Sequence, residues 1–196
     1  YMSLFTESSF TGIGFIFGIL YFFLYKILNR KSFEEMHFNI RSVGKWLKQP
    51  KVWLWIFIPV VINLAQTVIA WLVSKTFYAS AVSDELTRIS TLIPGSMTSS
   101  FLILIPYLLI LAMGEEICFR AFFQDRLLKY TSIINSLILS SIVFTMGHVY
   151  KEPLGIAVFW ISNTFILSIL FGLIQHKTKN AYVSTISHFI SKEPLI

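Results

Sequence analysis

The sequence predicts an all-α fold, a polytopic membrane helical bundle of about six transmembrane helices plus one amphipathic helix on the cytoplasmic interface. Composition is the first reason. Of 196 residues, 55% are hydrophobic and 13% charged, whereas a soluble domain carries about 25% charged residues; mean hydropathy is +0.70. The second reason is the uncharged stretches, several of which are long enough to cross ~30 Å of hydrocarbon. The third is where the net charge of +6 sits. Lys26, Arg30, Lys31, Arg41, Lys45, Lys48 and Lys51 form one basic cluster, Arg126 and Lys129 a second, Lys177 and Lys179 a third. Clusters separated by apolar spans read as cytoplasmic loops touching anionic lipid, not as a nucleic-acid surface.

The elements follow in order. Tyr1, ahead of Met2, reads as a tag residue and is set aside. Residues between Glu7 and Lys26 are uncharged and form the first span, running outside to inside; a signal peptide lacks this length and carries a basic start. Over 32–48, Phe33, Met36, Ile40, Val43 and Leu47 recur at three- and four-residue spacing among basic residues, which predicts the interfacial helix. The second span is 52–74, with Trp53, Trp55 and Trp71 as interfacial anchors. Residues 75–97 read as a polar outer loop. The third helix covers 99–130, with Pro106 as a kink site. The fourth covers 131–149, Glu152-Pro153 marks an outer turn, and the fifth covers 154–175. A basic inner turn at 176–180 leads to the sixth, which starts at Ala181 and is cut short by Lys192, Glu193 and Pro194. The whole is one membrane domain, divided into N-terminal spans, interfacial helix and outer loop (1–98) and a four-helix core (99–196). The single cysteine, Cys118, excludes an internal disulfide.

Residues 89–114 contain no charge, and then Glu115, Glu116 and Arg120 appear within six positions. A charge at membrane depth costs about 2.5–3.5 kcal/mol on insertion scales, so three together need mutual compensation or a use. Helical spacing gives Arg120 to Glu116, i and i+4. Glu115 is rotated by roughly 100° from that pair, which makes it the carboxylate to examine for chemistry. At 1.5 Å per residue, Glu115 lies roughly 16 Å above Arg126, and His188 roughly 12 Å above Asn180. His148 comes out roughly 25 Å above Thr131, so it meets the other two only if the fourth helix tilts.

Histidines and glutamates gathered inside a bundle suggest hydrolysis. A glutamate held out of water serves as general base toward a water molecule. Imidazoles hold that water, donate to a developing oxyanion, or bind a metal such as zinc. Glu115, His148 and His188 are the candidate ligands if a metal is used. Cys118 points away from Glu116 and reads as a small hydrophobe. His37 and His176 read as interfacial, and Asn163 as interhelical hydrogen-bond glue.

Glu115-Glu116-x-x-x-Arg120, Phe144-x-x-x-His148 and a Thr178-x-Asn180 turn leading to His188 resemble the three ordered motifs of the CPBP intramembrane proteases. That family comprises the CAAX prenyl endopeptidases and the bacteriocin-processing (Abi) proteins. Gly172 fits the same pattern, and the resemblance covers about residues 100–192. It implies that Glu115 activates water for peptide-bond hydrolysis and that Glu116 and Arg120 orient the site. His148 and His188 would bind the water, the oxyanion or a metal, zinc being the candidate, with a metal-free mechanism left open. The family usually has Asn or Asp four residues after the last His. Here that position is Lys192, so the completing amide or carboxylate is missing unless Ser191 substitutes, or the end of the chain is truncated or altered.

The function expected is thus an intramembrane endopeptidase acting on a peptide or a lipid-modified protein, with membrane lipids as further partners and no nucleic acid. Its place is the cell membrane, multi-pass, in a bacterium, with the site open to the cytoplasmic side. The rival is a non-catalytic protein of the same fold, a bacteriocin self-immunity or regulatory factor, which Lys192 favours. A proton-relay transporter is the third reading, and the lack of matching broken helices in two halves counts against it.

Overall fold

In the computed structural model, the described residues are 9–73, 75, 97–148 and 154–192. All regular structure among them is helical. Helix α1 spans Ser9–Leu28. A 3-10 turn, Ile40–Ser42, leads into the short α2, Val43–Leu47. Helix α3 is Pro50–Val73 and α4 is Met97–Glu115. The chain then continues without a break as a π-helical segment, Glu116–Gln124, and a last α-turn, Asp125–Leu127. Helices α5 (Ile133–Met146), α6 (Leu154–Thr178) and α7 (Ala181–Lys192) complete the bundle. The polar loop expected at 75–97 falls mostly, and the turn at Glu152-Pro153 wholly, outside the described residues.

Two helical stretches, Pro50–Leu72 and Ala157–Thr178, are long and apolar enough to cross a membrane, while Ile16–Leu28 and Ile133–Met146 are apolar but shorter. Apolar side chains point outward along them: Leu28, Leu54, Leu72 and Met146 are each more than 60% exposed. A helix satisfies its own backbone hydrogen bonds, so such a surface is stable only where lipid covers it.

The interior is the reverse. Helix α7 packs against α3, α4, α6 and the π segment, and its buried face is polar: Ser184, Thr185, Ser187, His188 and Ser191. Four hydroxyls there donate to backbone carbonyls, Ser187 reaching Ile56 of α3 at 2.9 Å. Apolar packing is divided into two groups. Phe22, Met36, Ile117 and Phe122 tie α1 to the π segment. Val52, Ile56, Ile174 and Val183 tie α3, α6 and α7 together.

The continuous interfacial helix expected over 32–48 is not formed. Residues 33–37 are turns, His37 sits at φ 60°, and helical structure begins only at Ile40. Asn39 is the cause: its side chain accepts from the backbone N–H groups of Arg41 and Ser42 and so starts a helix at that point. The segment instead straps one end of the bundle. Asn180 Nδ2 donates to the Asn39 carbonyl and to Ser42 Oγ, Ala181 N–H donates to the His37 carbonyl, and Phe38 stacks on Tyr182. At the exposed edge of the strap, the Lys31 ammonium and the Ser32 amide hold the Glu35 carboxyl down at about 2. The Thr178-x-Asn180 turn acquires a physical reason from the same geometry. Lys179 takes the left-handed φ of 49° that ends α6, and Asn180 Oδ1 caps α7 by accepting from Tyr182 N–H.

Candidate active site

Glu115 is the last residue of α4 and Glu116 the first of the π segment. A π-helix closes i→i+5 bonds and is rare, found mostly at functional sites, because it re-aims side chains that an α-helix would hold elsewhere. Glu116 is fully buried and Arg120 is 1% exposed. Arg120 Nε lies 3.6 Å from Glu116 Oε1, as the four-residue spacing predicts. The rest of the guanidinium is held from two other helices. Its Nη2 donates to Ser168 Oγ of α6 at 3.0 Å, and its plane lies over the Phe144 ring of α5 at 4.0 Å.

Two imidazoles converge on Glu115. His188 Nε2 is 3.5 Å from Glu115 Oε2, and His148 Nε2 is 3.6 Å from Glu115 Oε1. What orients each ring is its other nitrogen. His148 Nδ1 is 2.8 Å from the Phe144 carbonyl, which can only accept, so Nδ1 carries the proton. His188 Nδ1 is 2.9 Å from Glu116 Oε1 and donates to that carboxylate in the same way. Phe171 stacks on the His188 ring at 4.5 Å and fixes its plane. Both rings therefore commit Nδ1 and present Nε2 to one carboxylate. As a lone pair, Nε2 accepts from water; protonated, it donates to an oxyanion.

The charge count points the same way. Glu115 and Glu116 carry two formal negatives against the one positive of Arg120. The carboxylate in excess, Glu115, is the one that both imidazoles face.

Two imidazoles and a carboxylate are donor types of catalytic zinc sites. Among the described residues, however, no group of three or more His, Cys, Asp or Glu side chains is arranged to hold a metal ion.

The structure brings together all five residues singled out from sequence: Glu115, Glu116, Arg120, His148 and His188. His148 nevertheless reaches Glu115: Gly147 and His148 carry α5 on by a last turn, with N–H bonds to the Val143 and Thr145 carbonyls, and the ring lies beside the carboxylate. Cys118 is buried against Gly18 of α1 and takes no part. Asn163 Nδ2 donates to Asn63 Oδ1 at 3.0 Å, the interhelical bond expected of it, and Asn63 passes the tie on to the Ser191 carbonyl. Ser191 does not supply the missing amide donor, because its hydroxyl donates to the Ser187 carbonyl at 2.6 Å. Ser168 and Phe171 were missed. Their only signal is register with Gly172, which Ser168 precedes by four residues and Phe171 by one. His37 is more than interfacial, since its Nε2 meets Asp125 Oδ1 at 3.0 Å.

Residues 97–192 match the family model described as Type II CAAX prenyl endopeptidase Rce1-like. The match spans all three motifs and agrees with the family their order resembles. No curated protein and no solved structure matches the chain.

Proposed function

From that match we propose that the chain is an intramembrane endopeptidase that hydrolyses a peptide bond in a membrane-associated or prenylated protein, using a water activated by Glu115. The observation that carries the reading is the pair of Nε2 atoms, each fixed by a bonded Nδ1, turned one to each oxygen of a single buried carboxylate.

Glu115 removes a proton from water as the oxygen attacks the peptide carbonyl carbon. The carbonyl π electrons move to oxygen, and the oxyanion is met by a protonated Nε2 of His148 or His188. Collapse re-forms the carbonyl and breaks the C–N bond, and Glu115 returns its proton to the leaving amine. Glu116 holds His188 in register, and Arg120 balances the charge of Glu116. The 99–196 core supplies every one of these groups, while 1–98 supplies packing and the strap. In this reading the chain spans a bacterial plasma membrane about six times, with both ends outside and the site reached from the cytoplasmic side, in keeping with its basic clusters.

The test is cleavage of membrane-anchored and prenylated peptides by the purified protein in proteoliposomes, followed by mass spectrometry. Products should appear with the wild type and vanish with Glu115→Gln. One observation favours a second reading. Position 192 is Lys, and Ser191 offers no donor in its place, which suits a non-catalytic immunity or regulatory protein that binds a membrane partner. If protection of cells from a bacteriocin survives loss of Glu115, His148 and His188, the binding reading replaces the catalytic one.

A further inference from the structure

Among the described residues, the carboxylates at the strapped end of the bundle are all engaged. Glu35 takes Lys31, Asp125 takes His37 and Arg126, and Glu34 accepts from Asn39 Nδ2. One group of cations is left over. Arg41, Lys45, Lys48 and Lys51 lead into α3, and Lys177 and Lys179 lie at the end of α6. Neither 39–73 nor 154–178 contains an Asp or a Glu to offset them.

Two of these cations are brought to one point. The Lys51 ammonium, in the first turn of α3, lies 5.9 Å from the centroid of the Trp55 ring, and the Lys177 ammonium, in the last turn of α6, lies 5.0 Å from the same ring. Both lysines are exposed. Trp55 is a fixed platform for them, since it packs on the Val52, Ile56, Ile174 and Val183 group that joins α3, α6 and α7. The ring attracts each ammonium but leaves their mutual repulsion standing; an anion shared by the two removes it.

The setting selects the anion. Pro50–Leu72 and Ala157–Thr178 are the stretches long and apolar enough to cross a membrane, and the pair stands at the same end of both, where headgroup phosphates lie. From Lys51 an apolar stripe runs along the outside of α3 at three- and four-residue spacing: Leu54, Ile58 and Val61, each exposed. Counted back from Lys177, the partly exposed Leu173 and Leu170 and the exposed Ile166 repeat the spacing on α6, which packs beside α3. A phospholipid fits both parts, its phosphate on the lysines and its chains along the stripes, whereas a free phosphate leaves the stripes bare. The headgroup must be anionic, because a zwitterionic one brings its own ammonium among Arg41, Lys45 and Lys48.

We propose that Lys51 and Lys177, seated on Trp55, hold the phosphate of one anionic phospholipid and so tie the basic end of α3 to that of α6. The proposal rests on the placement of these two helices across the membrane and not on the hydrolytic reading.

The full chain, purified in a neutral detergent, is titrated with phosphatidylglycerol or with phosphatidylcholine of the same acyl chains, and bound lipid is counted by native mass spectrometry. One phosphatidylglycerol should be retained in preference to phosphatidylcholine. Lys51→Gln and Lys177→Gln should each weaken it about fivefold, the equivalent of about 1 kcal/mol per lysine, and the double variant about 25-fold. Lys51→Arg/Lys177→Arg should keep the preference, and melting curves show that each variant is folded. Lys129→Gln removes an exposed charge from another basic cluster at the same end of the bundle and should cost less than about twofold. Four results overturn the proposal: equal binding of the two lipids, a double variant that binds as wild type does, a loss with Lys129→Gln as large as with Lys51→Gln, or displacement of the lipid by millimolar inorganic phosphate. The readout needs no cleavage, so a chain that holds the lipid and cuts no peptide overturns the proposed function alone.

Discussion

Replacing Arg120 with Met tests whether the buried ion pair is a structural necessity of the site. The side chain is 1% exposed and its partner Glu116 fully buried, so no solvent screens the loss. At 3.6 Å and an effective dielectric of about 20, the pair is worth about 4–5 kcal/mol. The hydrogen bond to Ser168 adds about 1 kcal/mol, and the cation–π contact with Phe144 up to about 2. These terms share one group and do not add. Breaking a buried pair by removing one partner costs about 3–5 kcal/mol, because the carboxylate left behind is uncompensated. For a chain of this size that is a fall in Tm of about 6–20 °C. Glu116→Leu/Arg120→Met removes both charges and should recover most of that loss, since a buried pair exchanged for apolar residues is often neutral. It should not recover turnover, because His188 Nδ1 loses the acceptor that sets its ring. Differential scanning fluorimetry in detergent reads the first effect and peptide cleavage the second. A single variant within about 2 °C of wild type, or a double variant no better than the single, would refute the reasoning.

Other outcomes follow from particular contacts. Gly18→Ala drives a Cβ into Cys118 Sγ, so α1 must shift off the π segment and stability should fall by about 1–3 kcal/mol, recovered in part by Cys118→Gly. Gly172→Ala should lower both stability and turnover, because the new methyl displaces Gln124. Asp125→Asn weakens the tie between the strap and the α-turn that follows the π segment and should raise proteolytic nicking between residues 30 and 42, read by limited trypsin digestion. Dialysis against a chelator should leave turnover intact; loss restored by zinc would mean that Glu115, His148 and His188 ligate a metal after all.

The sequence carried the site further than it carried the architecture around it. The i, i+4 spacing of Glu116 and Arg120 sufficed to pair them, and depth counting brought Glu115 and His188 together, because both operations need only helical rise and rotation. For His148 the count left a tilt of α5 to be supplied, because rise along one helix says nothing of how that helix leans against its neighbours. The interfacial segment failed for a local reason. Its apolar spacing fits a helix, but one Asn side chain, bonded to two amides ahead of it, decides where a helix begins. The π segment has no periodicity of its own in nine residues. The His37–Asp125 and Gln124–Gly172 contacts join residues 88 and 48 apart, and pairings of that kind exist only once the chain is folded.

The most direct measurement is single-turnover cleavage of one membrane-anchored peptide by wild type and by Glu115→Gln, each shown folded by its melting curve. The account predicts that the rate constant falls by about 10²- to 10⁴-fold with substrate affinity little changed. Equal rate constants for the two proteins would contradict it.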